Sequence, residues 1–112
     1  MKIATNISED GRYIETHISG AFTFPHASSA EIIKSLSKID QFPDHYKIFI
    51  DDSIEIIDGF AADALKVLKD HVLSKNQNVK FQILCSLNAK QYLKLNKIDD
   101  WATISAQRKL KF

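Results

Sequence analysis

The chain opens on apolar positions two residues apart and later takes up a rhythm near 3.6, so it predicts strands first and helices interleaved afterwards. Ile3, Thr5 and Ile7 alternate with their neighbours, Asp10 and Gly11 supply a turn, and Ile14, Thr16 and Ile18 alternate again. That pattern predicts a β-hairpin. Gly20 to Pro25 reads as a loop. From 26 to 40, Ala30, Ile33, Leu36 and either Ile32 or Ile39 form a helical apolar stripe, with Ser28, Ser29 or Thr23 available as the cap and Glu31 favourable in the first turn. QFPDH then breaks the rhythm. Residues 46–50 form a nearly continuous apolar run, as expected of a parallel strand buried on both faces.

A second helix is predicted over 59–75, with Ala61, Ala64, Leu65, Leu68 and Val72 on its inner side and Lys66, Lys69 and Asp70 in water. A strand follows over 79–85, with Phe81, Ile83 and Cys85 on one face. A third helix over 88–98 turns Ala89, Tyr92 and Leu93 inward, Trp101 closes the core beside Ile98, and a last strand covers 102–105. The order β-β-α-β-α-β-α-β predicts an α/β fold, a mixed sheet with helices packed against it. Neither a repeat nor a low-complexity linker divides the chain, so residues 1–112 are read as a single domain.

Composition narrows the function classes. With 112 residues, 45% of them apolar and 26% charged, the chain has the profile of a folded domain able to bury its own core. Lys and Arg number 15 against 14 acids, so overall charge does not recommend nucleic acid as a partner. The charge is nevertheless segregated. From Asp40 to Asp63 there are seven acids and one base, Lys47, whereas from Ala64 to Lys97 there are seven lysines against Asp70 alone. The acidic stretch is either solvated loop and helix surface, with Asp58 as a helix cap, or a patch that steers a basic partner. No window has the ~20 apolar residues that cross a bilayer, and MKIATNISED lacks a signal-peptide core. Membrane insertion is not expected. A single cysteine, Cys85, forms no internal disulfide and suits a reducing compartment, so the expected location is the cytoplasm.

The most informative stretch is YKIFIDDSIEIIDGFAADAL, residues 46–65, in which a strand breaks into a loop and then a helix starting at Gly59. It resembles the signature of the STAS domain, the family of anti-sigma factor antagonists and related regulators, which reads roughly D-L-S-x-V-x-x-I-D-S-[ST]-G-L. Asp51 and Ser53 stand for the first D and the S, and Ile57 and Asp58 for the later I-D pair, with one residue fewer between them. Gly59 stands where the family carries its phosphorylatable serine. HISGAFTFPHASSAEIIKSL is similar to the family's early G-x-[LF] segment and first helix, with Thr23 in place of the usual acid, and QILCSLNAKQYLKLNKIDDWATI to its closing strand and helix. The predicted element order is also that of the STAS fold.

The resemblance implies a regulatory module that binds a protein partner, an anti-sigma factor or kinase or a phosphatase regulator. By position in the pattern it assigns Phe22, Phe24, Asp58, Gly59 and Phe60 to the partner surface, and the adjacent acid Glu55 joins them as part of a charged rim. The family's switch places phosphate at the helix start. Gly59 has no hydroxyl, Phe60 replaces a small hydroxylic residue and Ala61 replaces glycine; Ser53 is the alternative acceptor in the same loop. Phe60 is either a buried wedge or an exposed anchor. Two other roles fit the resemblance: a module holding a small molecule or nucleotide at the helix N-terminus 59–62, and a soluble subunit of a lipid-transport complex.

Candidate chemistry is sparse. Asp51, Asp52, Glu55 and Asp58 near a strand end would be admissible Mg²⁺ ligands, but neither a G-x-x-x-x-G-K-[ST] loop nor a G-x-G-x-x-G turn accompanies them. His17, His26, His45 and His71 lack metal-ligand spacing. Cys85, in an alternating strand, reads as a small buried hydrophobe, and the basic tail RKLKF as a solvated end or a contact for an acidic surface. The expectation is a binding module without enzymatic activity, metal or cofactor.

Overall fold

The computed structural model describes residues 1–106. The elements are β1 (Lys2–Ile7), β2 (Tyr13–Ser19), α1 (Ser29–Ser35), β3 (His45–Ile50), α2 (Gly59–Lys75), β4 (Lys80–Cys85), α3 (Leu87–Leu95), a 3₁₀ turn (Ile98–Asp100) and β5 (Ala102–Ala106). They form one α/β domain in the order the periodicity predicts. The five strands lie side by side in sequence order, with β1 antiparallel to β2 and every later pair parallel. The RKLKF segment lies outside the described residues.

This monotonic order decides where the core lies. Right-handed crossovers that step always in one direction put every connecting helix on the same face of the sheet. The burial pattern agrees: Ile14, Thr16 and Ile18 of β2, Tyr46, Ile48 and Ile50 of β3, and Phe81, Ile83 and Cys85 of β4 are buried, while the residues between them are not. β3 is therefore covered on one face only. The expectation of a strand buried on both faces is corrected, since Lys47 and Phe49 project from the side without helices.

Helix α2 matches its predicted span, and Ala61, Ala64, Leu65, Leu68 and Val72 are all buried. Lys69 departs from expectation: its side chain is largely covered and its ammonium lies 5.5 Å from the centre of the Trp101 ring. Trp101 in turn meets Phe81 edge to face at 5.3 Å. Helix α1 is only seven residues long. Its start is fixed by Ser28, whose hydroxyl accepts the Glu31 N–H at 3.2 Å, and residues 23–27 form a turn instead of a first helical turn. Ile32 and Leu36, four apart, set the buried line; Ala30 lies outside it and faces solvent. In α3, Ala89 and Leu93 are buried but Tyr92 is turned outward, again contrary to the sequence expectation.

One polar chain crosses the core. The Ser35 hydroxyl donates to the Ile32 carbonyl at 2.6 Å, so Thr5 Oγ1 donates to Ser35 at 3.0 Å, and Thr16 to Thr5 at 2.9 Å. That order leaves the Tyr46 hydroxyl to donate to Thr16. Thr16 is the one fully buried polar residue among those described, and every hydroxyl in the chain of bonds is satisfied. Burial pushes the Tyr46 phenol up to about 12. The chain ties β1, β2, β3 and α1 together.

Candidate functional site

The loops after β2, β3 and β4 gather at the carboxyl ends of the parallel strands. The β3–α2 loop is anchored along its length. Asp51 N–H continues the ladder to the Ile18 carbonyl at 2.9 Å, and Ile54 and Ile57 point into the core. Ser86, which caps α3 by accepting the Ala89 N–H, donates its hydroxyl to the Ile54 carbonyl at 3.2 Å. These anchors turn Glu55 and Ile56 outward, Ile56 being 58% exposed.

Asp58 organises the start of α2. One carboxylate oxygen accepts the Ala61 N–H at 2.9 Å as an N-cap, and the other accepts the Phe24 N–H at 2.8 Å from the β2–α1 loop. These two donors, Phe24 first, hold the Asp58 carboxyl below its ordinary value of 3.8. The capping reading of Asp58 is therefore the one seen in the structure. The helix start is not a vacant anion site, because a carboxylate already occupies it.

The latch sets two phenylalanines together. Phe24 and Phe60 meet edge to face with ring centres 5.3 Å apart, yet remain 67% and 47% exposed. Of the two options for Phe60, the exposed ring is the one observed. Phe22 is corrected: it is 1% exposed, a core residue that presents nothing to a partner. Gly59 is exposed, and a Cβ placed on it would find only Asn96 Oδ1, at 3.9 Å. Ser53 is exposed but its hydroxyl donates to the Asp51 carboxylate, which also receives the Ser53 N–H at 3.3 Å.

Asn96 follows Leu95 at the end of α3, and there the surface continues as a cleft of about 420 Å³ between the loop and that helix. Ile56, Tyr92 and Leu95 are its apolar lining and Glu55 its one charge. Leu95 is 78% exposed. Lys90 and Lys94 project from the other flank of α3, as helical spacing from Ala89 and Leu93 requires. The sequence reading did not assign Ile56, Tyr92 or Leu95 to the site. A signal was present: Leu87 and Leu95, eight apart, lie off the Ala89–Leu93 line and give α3 a second apolar side.

Other candidate chemistry is dispersed. Cys85 is fully buried and its thiol is pushed up to about 11, chiefly by burial. No group of three or more His, Cys, Asp or Glu able to hold a metal ion occurs among the described residues. No described helix is long and apolar enough to cross a membrane. Among the described strands the order never reverses, so the sheet has no topological switch point. No protein-family model, curated protein or solved structure matches the chain. The similarity to STAS domains thus rests on motif wording and element order.

Proposed function

We propose that this domain is a non-catalytic, cytoplasmic protein-binding module, similar in role to an anti-sigma factor antagonist, which engages its partner without phosphorylation at the start of α2. The observation that carries the reading is the exposed Phe24–Phe60 pair, held by Asp58. Burying a phenylalanine is worth about 1.5–3 kcal/mol, whereas an aromatic pair contributes only about 0.5–1.5 kcal/mol. Two exposed rings, one on an anchored loop and one in the first turn of a capped helix, leave apolar area that a partner's surface can cover. The cleft at Ile56, Tyr92 and Leu95 extends that area, and Glu55 supplies a charge at its rim.

An anti-sigma factor, its kinase or a phosphatase regulator is the partner class the motif supports. Affinity purification of the tagged domain from its own cells, beside a Phe24→Ala/Phe60→Ala double variant, tests the reading. A regulator recovered with the wild type and lost with the variant supports it. A transporter ATPase would instead select the lipid-transport role, and identical recovery with both proteins would remove the surface from consideration.

A further inference from the structure

We propose that the helix-free face of the sheet carries an anion site, at the end opposite the loops described above, that takes a phosphate ester of about mononucleotide size. A cleft of about 400 Å³ opens there over the first residues of β2, β3 and β4, within the size range of small-ligand sites. Its lining includes Arg12, His45, Lys47 and Lys80, with Gln82 and Thr103 as further hydrogen-bond donors, and no carboxylate.

The register brings these groups together. His45 lies opposite Tyr13 on one side and Lys80 on the other, and Lys47 lies opposite Glu15 on one side and Gln82 on the other, Gln82 being itself opposite Thr103. Neighbouring strands are ~4.8 Å apart and alternate residues ~6.6 Å, so three permanent cations and an imidazole share one small area. Lys47 is already positioned, its ammonium 4.0 Å from the centre of the Tyr13 ring. Among the described residues neither Lys47 nor Lys80 forms an ion pair.

The nearby carboxylates border the cleft without lining it, Asp10 pairing with Arg12 and Glu15 lying across from Lys47. Glu15 takes His17 at 3.2 Å, Asp44 takes the Asn76 amide at 2.9 Å, and Asp10 accepts the Ser8 hydroxyl and the Arg12 N–H, its other oxygen 3.7 Å from the Arg12 guanidinium. Compact ammonium groups beside a guanidinium suit a phosphate, which offers several acceptor oxygens and up to two charges. The patch is also bounded. A neighbouring cleft lined by Glu9, Asp10 and Glu15 meets it at β2, so an extended polyanion would run from cations into acids.

The site is independent of the Phe24–Phe60 surface. Titration of ¹⁵N-labelled protein with AMP, inorganic phosphate and adenosine tests it. AMP should give saturable one-to-one shifts at Tyr13, His45 to Lys47, Lys80 to Gln82 and Thr103, phosphate weaker shifts at the same residues, and adenosine none. Lys47→Gln/Lys80→Gln should weaken AMP at least about tenfold while its melting temperature stays near wild type, and Phe60→Ala should leave AMP binding unchanged. Three results would each overturn the proposal: non-saturating shifts shared equally with Lys66 and Lys94, AMP affinity unaffected by the double variant, or a short single-stranded RNA that binds this face far more tightly than AMP.

Discussion

Asp58 accepts the backbone N–H of Phe24 at 2.8 Å and so joins two loops that are 34 residues apart in sequence. The same carboxylate caps α2 through Ala61. A single side chain thereby fixes both the helix start and the position of an exposed aromatic ring.

Replacing that side chain should separate the two duties. Asp58→Ala removes both contacts and should cost about 1 kcal/mol, the usual value of a lost N-cap. Asp58→Asn keeps one acceptor oxygen where the carboxylate had two, so it can cap α2 or hold Phe24 but not both. Because the folded carboxyl lies below 3.8, its contribution is complete above the ordinary carboxylate range and is lost as pH falls through the depressed value. Melting curves of wild type and Asp58→Asn should therefore differ by a constant amount from neutral pH down to about pH 5 and converge in stronger acid.

The buried hydroxyl chain gives a second test. Tyr46→Phe removes the terminal donor and leaves Thr16 still bonded to Thr5, which should cost ~0.5–1.5 kcal/mol. Thr16→Val takes out the middle and strands the Tyr46 hydroxyl in the core, where an unsatisfied group costs ~1–3 kcal/mol. Denaturant titration should rank Thr16→Val as the worse single change, and the double variant should cost less than the sum.

The element order is legible in the sequence because each predicted turn carries its own chemistry: Asp10–Gly11, the break at QFPDH, and Asp58 before Gly59. Faces are harder to read. β3 looks like a solid apolar run, and only the monotonic strand order, a tertiary property, leaves Phe49 uncovered. Asp58, Gly59 and Phe60 are readable as a helix start, yet whether the Phe60 ring points out depends on the Phe24 loop, which packs against it from 36 positions away. Phe22 and Phe24, two apart, would share a face of a strand; the turn closed by the Thr23 carbonyl instead leaves Phe22 in the core and Phe24 at the surface.

Phosphorylation supplies a third prediction. Gly59 has room for a side chain, so Gly59→Ser should fold with stability within ~0.5 kcal/mol of wild type. Incubation with a kinase that modifies STAS domains, followed by mass mapping, should show phosphate on the introduced hydroxyl of the Gly59→Ser variant and none on the wild type. Ser53 is a poor acceptor, because its hydroxyl donates to Asp51 and a phosphate there would face that carboxylate. Phosphate on Ser53 of the wild type would show that the switch has moved along the loop.

The docking role of the exposed aromatic pair is tested most directly by Phe60→Ala, with binding kinetics, calorimetric binding and thermal melting measured on the same samples. With the partner recovered by affinity purification, binding should weaken by ~1–3 kcal/mol, mainly through faster dissociation, while the melting temperature moves by only a few degrees. A sharp fall in melting temperature together with unchanged affinity of the folded protein would place the ring's energetic role in the core and contradict the docking surface.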